Sequence, residues 1–187
     1  MLTMTEKDVR KTFNYNEEYI IANQINEEVL GEVLQTTGQT LLENDEIFVM
    51  YPDYNRYYVS NYGRVISFCK KQPEFLKQSK YNRYWGYIFY STVENGIKKP
   101  NRKVLVGRAV ADVFCPNFYK DKERRYLAVH HIDHDKTNNK WTNLVLLPKS
   151  MHEKVVHPLE KKRGIMDPFE ICVAPSKDGN LYPERLK

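Results

Sequence analysis

The sequence predicts an α+β protein in which an amino-terminal helix precedes a small antiparallel sheet and a strand–loop–strand–helix segment. Three observations favour this class. An amphipathic apolar pattern covers residues 16–36, short β-branched and aromatic runs separated by turn residues cover 47–92, and all five histidines fall between Val129 and His157. Helical and strand periodicities in separate parts of one chain are typical of α+β folds.

Composition and charge narrow the function classes. At 187 residues the chain suits one compact domain or two small ones. Its net charge is +5, but residues 1–46 hold three basic and ten acidic residues, a net of −7, so the remainder carries +12. A basic body favours a polyanionic partner through phosphate contacts. No apolar run has membrane-spanning length and the amino terminus lacks a signal-peptide core, so we expect an intracellular, cytoplasmic protein with no membrane partner.

Residues 1–45 are predicted to form an acidic helical extension. Between residues 16 and 36, apolar side chains recur on one face with glutamates opposite, and Gly38 follows as a stop signal. A helix that packs against the rest of the protein is the simpler interpretation. The alternative is an acidic arm that guards a basic cleft until a polyanion arrives.

Residues 46–100 are predicted to form a small sheet module. Strands are expected within 47–68 and at 87–92, and the turn signals are Pro52-Asp53, Asn61-Tyr62-Gly63 and Glu94-Asn95-Gly96. Nine of the fourteen tyrosines lie between Tyr51 and Tyr90, interleaved with arginine and lysine. Such aromatics can stack on bases while the cations hold phosphates. The alternative is a sheet that simply packs tyrosine on one face.

Residues 101–160 are predicted to carry the site. Lys103 to Phe114 should begin extended and become helical, residues 124–131 and 143–147 should form strands around a polar loop, and Pro148 should begin a helix to about His157. Residues 161–187 are predicted to form an irregular tail.

This arrangement brings histidines together in a chemically useful way. Neighbouring strand residues point to opposite faces, so His130 and His131 should diverge, while the helix brings His152 back towards the first strand. Two imidazoles can hold a divalent cation that stabilises a departing alkoxide, and a further free imidazole can take a proton from water. These are the parts that hydrolysis of a nucleic-acid backbone requires.

The same residues resemble the HNH nucleases of the ββα-metal fold. The three family positions are occupied by His131, Asn143 and His152, and the pattern HHIDxxxxNNxxxNL is similar to the homing-endonuclease branch. Residues 57–67, YYVSNYGRVIS, resemble the YxVSNxGRVxS element of NUMOD4-type modules, and residues 104–117 resemble the VHRLVAxxF connector. The resemblance implies a NUMOD4-like, DNA-contacting module at 46–100 and an HNH ββα-metal nuclease domain at 101–160.

The resemblance also implies residue roles. His131 would be the general base of a single-metal mechanism. Asn143 would tie the loop and orient that base, and His130 and His152 would hold one divalent ion. Mg²⁺ or Mn²⁺ is expected physiologically, and Zn²⁺ or Ni²⁺ is also compatible with imidazole in the purified protein. The expected partner is double-stranded DNA in a phage or bacterial host cell, nicked or cut through both strands, and the sequence leaves monomer and homodimer open. The expected DNA contacts are Arg64, Lys80, Arg83, Arg102, Arg108, Lys136 and Lys140, with a helix salt bridge as the alternative for Arg108.

Three positions depart from the family pattern. His134 replaces a small residue at the loop tip, and Gly107 stands where the connector usually has histidine. His157 follows His152 by five residues, which in an α-helix is about 500°, so their side chains should diverge by about 140° and His157 is not predicted to be a ligand. Two other functions stay open: a non-catalytic DNA-binding module that retains an HNH fold, and a structural zinc protein that uses His130, His152 and His157.

Overall fold

The computed structural model describes residues 17–52, 54–90, 93–94, 97–98, 100–115 and 126–164. The architecture is α+β, as predicted, with short helices and small antiparallel sheets. Within the described ranges, every helix is too short or too polar to cross a membrane. The first 16 residues of the acidic arm, the turn residues Asp53, Asn95 and Gly96, and residues 165–187 of the predicted tail lie outside these ranges.

The predicted amino-terminal helix is two helices. The first helix ends before Gln24, which forms a β-bridge with Val49. The second starts after Asn26, whose side-chain oxygen accepts a hydrogen bond of 2.8 Å from the backbone N–H of Glu28 and so caps the helix. It ends at Gly38, whose φ of 65° is the left-handed conformation favoured after a helix. The helices are α1, Glu17–Asn23, and α2, Glu27–Thr37.

The first sheet has four antiparallel strands in chain order. Val33 of α2 packs on it in a buried apolar cluster with Ile25, Phe48 and Ile66. Residues 17–37 are therefore packing helices, which agrees with the simpler interpretation of this segment. The strands are β1, Phe48–Tyr51, β2, Tyr54–Ser60, β3, Val65–Ser67, and β4, Glu74–Phe75.

The second sheet begins before the strand predicted at 87–92. Asn82, with a φ of 55°, lies in a turn that pairs Tyr81 with Tyr84. The domain boundary predicted between residues 100 and 101 falls inside this sheet, because the strands Tyr84–Phe89 and Arg102–Leu105 pair directly across it. The strands are β5, Ser79–Tyr81, β6, Tyr84–Phe89, and β9, Arg102–Leu105, and the chain between the last two forms a hairpin of β7, Val93–Glu94, and β8, Ile97–Lys98.

A central helix, α3, Val106–Phe114, follows β9 directly, as the predicted change from extended to helical conformation requires. Most of its residues are buried, and its apolar side chains share one core with both sheets and with the strand pair that follows. Its Asp112 accepts a hydrogen bond of 2.7 Å from the hydroxyl of Tyr51 in β1. The helix therefore fixes the strand pair relative to the first sheet.

The strand–loop–strand–helix segment forms as predicted, but its helix is longer. The helix continues past His157, because Pro158 lies in the first turn of a new helical segment, where the missing N–H removes no hydrogen bond within that segment. The first residues of the predicted irregular tail are consequently helical. The elements are β10, Leu127–His131, a 3₁₀ turn, Trp141–Asn143, β11, Leu144–Pro148, α4, Lys149–Met151, a π turn, His152–Val156, and α5, His157–Arg163.

Candidate active site

The antiparallel pair β10–β11 separates two adjacent histidines. His130 pairs with Val145 and His131 with Leu144, so the two imidazoles project from opposite faces of the pair. His130 is 2% exposed and His131 is 9% exposed. The segment therefore offers two chemically distinct sides, as the strand alternation predicts.

On the His130 side, three imidazoles converge. The ring centroid of His130 lies 5.2 Å from that of His152 and 5.6 Å from that of His157, and the latter two are 4.3 Å apart. One ring nitrogen from each lies within 4.8 Å of the other two. Burial lowers the pKa of His130, against the opposing charge of Glu160, and lowers the pKa of His152 to about 4. Neutral imidazole is the form that binds metal.

The position of His157 corrects the α-helical geometry assumed from the sequence. The backbone N–H of His157 donates to the carbonyl of His152, five residues earlier, so the intervening segment is a π turn. Hydrogen bonding between residues five apart brings them to successive turns on one side of the helix. The π turn thus removes the divergence of about 140° that an α-helix would impose between the side chains of His152 and His157. His157 therefore lies with His130 and His152.

A buried carboxylate lies among these rings. Glu160, 5% exposed, has Oε1 at 2.9 Å from Nε2 of His130, and Oε2 at 3.0 Å from Nε2 of His134 and 3.2 Å from Nδ1 of His157. Burial raises the pKa of Glu160, but the hydrogen bond from His134 and the neighbouring imidazoles more than offset it, so the pKa lies below its ordinary value. Sequence reasoning missed Glu160, although its three-residue spacing from His157 on a helix was an available signal.

The donor set fits a divalent metal ion. The residues that would hold it are His130, His152 and His157, and Glu160 lies beside them. Three imidazoles are a nitrogen-rich set, which suits Zn²⁺ or Ni²⁺ better than Mg²⁺, whose preferred ligands are carboxylates, carbonyls and water. The expectation of Mg²⁺ rested on two imidazoles, His130 and His152, whereas the fold brings three together.

On the other side, the proton of His131 can be located. Nδ2 of Asn139 donates to the carbonyl of Thr137 at 3.1 Å, so Oδ1 faces Nε2 of His131, 3.0 Å away. An amide oxygen only accepts, and Nε2 must therefore carry the hydrogen while Nδ1 keeps its lone pair. Burial lowers the pKa of His131, which keeps the ring neutral near pH 7.

Asn143 ties the loop rather than bonding to the ring of His131. Its Oδ1 accepts from the backbone N–H of Asp133 at 3.1 Å, and its Nδ2 donates to Oδ1 of Asp133 at 2.8 Å and to the carbonyl of Asn138 at 2.9 Å. Nε2 of His131 donates instead to Oδ1 of Asn139. The two asparagines thus divide a role expected of one.

Two arginines that were predicted to contact DNA, Arg64 and Arg108, form hydrogen bonds and ion pairs within the protein. The guanidinium of Arg64 forms a bidentate pair with Glu46, whose side chain is fully buried. Arg108 lies 3.2 Å from Asp112 through Nη1 and donates through Nη2 to the carbonyl of Leu127. We therefore correct both assignments: these arginines join elements of the fold, and for Arg108 the salt-bridge alternative describes its contacts.

The other predicted contacts lie nearer the surface. Lys80 and Arg83 are exposed, and Arg102 is half-buried on β9. Nζ of Lys136, in the loop after β10, lies 4.9 Å from the ring centroid of Tyr84. The loop of the histidine segment therefore meets the second sheet at its aromatic face.

Two further lysines contact tyrosines. Nζ of Lys140 donates to the hydroxyl of Tyr62 at 2.7 Å. Nζ of Lys103 lies 4.0 Å above the ring of Tyr81, and Lys103 was not among the predicted contacts. Its position opposite Ile88 in the β6–β9 pairing places it on the solvent face of the sheet.

The absence of a side chain at Gly107 leaves room for the side chains of His131 and Asn139. A Cβ there would lie 2.8 Å from Oδ1 of Asn139 and 3.3 Å from Cε1 and Nε2 of His131. Gly107→Ala should therefore destabilise the fold by about 1–3 kcal/mol through overpacking, measured by chemical denaturation, and should shift the ring resonances of His131. Gly31→Ala is the control, since its Cβ would meet nothing within 4 Å. Equal stability of both variants would contradict the close packing around His131.

The histidine segment is similar in sequence to known proteins. Residues 124–154, which contain β10, its loop, β11 and the start of the helix, match a family model described as HNH endonuclease. A solved structure titled "DNA binding and cleavage by the HNH homing endonuclease I-HmuI" is similar with 25% identity and a TM-score of 0.46 over 66% of this chain, which spans 62% of that one. Among curated proteins no sequence matches. Over residues 124–154 the chain is therefore similar to the HNH endonucleases.

Proposed function

We propose that the protein is a metal-dependent endonuclease that hydrolyses DNA phosphodiester bonds with His131 as general base. The observation that carries the proposal is the hydrogen bond from Nε2 of His131 to Asn139. It leaves Nδ1 as the basic nitrogen, on a strand pair whose opposite face presents the imidazole cluster. A general base needs an unprotonated nitrogen in a fixed orientation, and this arrangement supplies both.

The residues divide the chemistry between them. Nδ1 of His131 accepts a proton from the attacking water, and the hydroxide equivalent forms a bond to phosphorus as the bond to the leaving oxygen breaks. Asn139 holds the ring and stabilises the imidazolium through Nε2. Asn143 keeps the loop closed by its bonds to Asp133. A cation held by His130, His152 and His157 would supply Lewis-acid stabilisation of the departing oxygen.

The second sheet supports double-stranded DNA as the partner. Its solvent face combines an exposed aromatic ring and an exposed aliphatic side chain, Tyr84 and Ile88 at 36% and 41% exposure, with the ammonium group of Lys103, and Lys136 of the loop after β10 reaches the Tyr84 ring. Cations on such a face hold phosphates and aromatic rings can brace sugars or bases. Arg83 extends the basic surface into the turn after β5. Lys80 and Arg102 pair with Trp85 and Phe89, so they project from the other face of the sheet. We propose this surface, and not Arg64 or Arg108, as the DNA contact.

A nicking assay on supercoiled plasmid tests the function. The wild-type protein should convert supercoiled to open-circular or linear DNA with Ni²⁺, Mn²⁺ or Mg²⁺ and not with a chelator, and mapped ends on defined duplexes should show a 5′-phosphate or 3′-phosphate at one bond. DNA binding without cleavage under every metal would favour a non-catalytic binding module instead.

A second candidate function, a structural zinc protein, is favoured by the same convergence of His130, His152 and His157. Structural zinc contributes directly to the free energy of folding. A chelator would then unfold the protein or lower its melting temperature strongly, whereas the endonuclease proposal expects only a modest shift. Melting curves with and without chelator separate the two.

A further inference from the structure

We propose that Glu160 is a ligand of the metal ion in this chain, which makes the site a mixed histidine–carboxylate centre. The inference rests on the metal site of the proposed function but assigns a residue outside the matched segment 124–154. It is carried by three observations: the spacing of the donor atoms, the burial of a carboxylate whose ion pairs with described residues are all with histidines, and the strained backbone of His134.

The donor atoms already have the spacing of a ligand set. The carboxylate oxygens of Glu160 lie 2.9 Å, 3.0 Å and 3.2 Å from nitrogens of His130, His134 and His157. Metal–ligand distances of about 2.0–2.1 Å in a tetrahedral site place neighbouring donors about 3.3 Å apart. Only small movements would therefore let one ion contact the carboxylate and the neighbouring imidazoles together.

The carboxylate of Glu160 is buried among imidazoles, which carry no permanent charge. The side chain of Glu160 is 2% exposed, and the ion pairs it makes with described residues are all with histidines. Burying an anion is costly unless a cation compensates it. A divalent ion among His130, His152 and His157 would provide that charge at the point where the carboxylate lies.

His134 contacts the carboxylate of Glu160 from a backbone conformation that most residues avoid. Its φ of 63° is left-handed, a region that non-glycine residues adopt at a cost in free energy. The ring it presents is 47% exposed, yet its Nε2 reaches the buried Oε2 of Glu160 at 3.0 Å. A glycine at this loop tip would avoid the strain, so the contact with Glu160 explains the histidine.

The π turn sets the direction in which the side chains of α5 point and so makes the contact between Glu160 and His130 possible. It turns α5 so that His157 and Glu160, three residues apart, both face His130. An uninterrupted α-helix would place His152 and His157 about 140° apart and would rotate Glu160 with His157. The same backbone irregularity thus brings one imidazole and one carboxylate to the site, as π turns at functional sites commonly do.

Metal binding by Glu160→Gln tests the inference. The variant keeps the size of the side chain but removes the anion, and its affinity for Zn²⁺, measured by competition with a chromophoric chelator, should fall at least about 10-fold. The visible spectrum of the Co²⁺-loaded protein should also change, because a ligand has been replaced. Glu153→Gln, an exposed glutamate in the π turn, is the matched control and should change neither. Unchanged affinity and spectrum in Glu160→Gln would overturn the assignment.

A measurement on the wild-type chain covers the case in which Glu160→Gln does not fold. With glutamate labelled at the carboxyl carbon, Co²⁺ should move one glutamate signal far from its normal range, and Glu160→Asp should remove that signal. No displaced signal would overturn the assignment. Plasmid nicking is measured in parallel: cleavage without a metal-linked glutamate would refute only this inference, and a metal-linked glutamate without cleavage would refute only the endonuclease proposal.

Discussion

Replacing His131 with alanine should lower the rate of plasmid nicking by about 10²–10⁴-fold, the contribution expected of a positioned general base. The physical reason is the loss of Nδ1, which Asn139 keeps unprotonated by accepting the hydrogen of Nε2. Zn²⁺ affinity should be unchanged, because His130 projects from the opposite face of β10. First-order rate constants from gel densitometry at saturating protein measure the effect.

Two companion variants sharpen this result. Asn139→Ala should also slow nicking, but less than His131→Ala, since the imidazole remains and loses only its fixed orientation. Thr142→Ala, exposed beside Asn143, should behave as wild type. Nicking by His131→Ala at the wild-type rate would remove His131 from the mechanism and leave the imidazole cluster as the sole catalytic feature.

Replacing Glu46 with alanine should destabilise the protein by about 3–5 kcal/mol, the cost of leaving a largely buried charge unpaired. Glu46 has a fully buried side chain, and Oε2 lies 2.5 Å from Nη2 of Arg64 while also accepting from the backbone N–H of Leu42 at 2.7 Å. The guanidinium stacks 4.7 Å from the ring centroid of Phe75, so Arg64 cannot turn to water without losing this packing. The shift of the denaturation midpoint in urea measures the loss.

A surface pair in the same protein provides the comparison. Glu74→Ala breaks the ion pair with Lys70, whose side chain is 70% exposed, and should cost about 0.2–1 kcal/mol. Replacing Glu46 and Arg64 together with leucine and methionine should recover much of the stability that Glu46→Ala loses, because no unpaired charge remains. If Glu46→Ala costs no more than Glu74→Ala, then Arg64 is free to serve as the DNA contact expected from the sequence.

Local rules were sufficient for the parts of the site that depend on neighbouring residues. The alternation of a strand separates His130 from His131, and the turn signals around Gly63 place β2 and β3, whatever the rest of the chain does. The resemblance of the histidine segment to the HNH nucleases was likewise visible within one short stretch of sequence. These features involve short sequence separations, where backbone geometry alone decides which side chains meet.

Long-range contacts decided the roles of individual residues. Arg64 was expected at a phosphate because its charge is visible in the sequence, but its pairing with Glu46, 18 positions earlier, depends on how the loop before β1 packs on the sheet. Asn139 rather than Asn143 bonds to His131 because the loop closes in one particular way. Hydrogen bonds between side chains are set by tertiary packing, which spacing does not encode.

The amino-acid sequence by itself determined the α+β class, the strand–loop–strand–helix segment and the placement of His131 on the opposite face of β10 from His130. Only the tertiary structure decided which residues lie beside His130. A single π turn brought His157 and Glu160 to His130, where regular helix geometry would have carried them away. One inserted residue rotates everything that follows in a helix, so a small backbone irregularity, whose stability depends on packing and contacts, changes which side chains share a site.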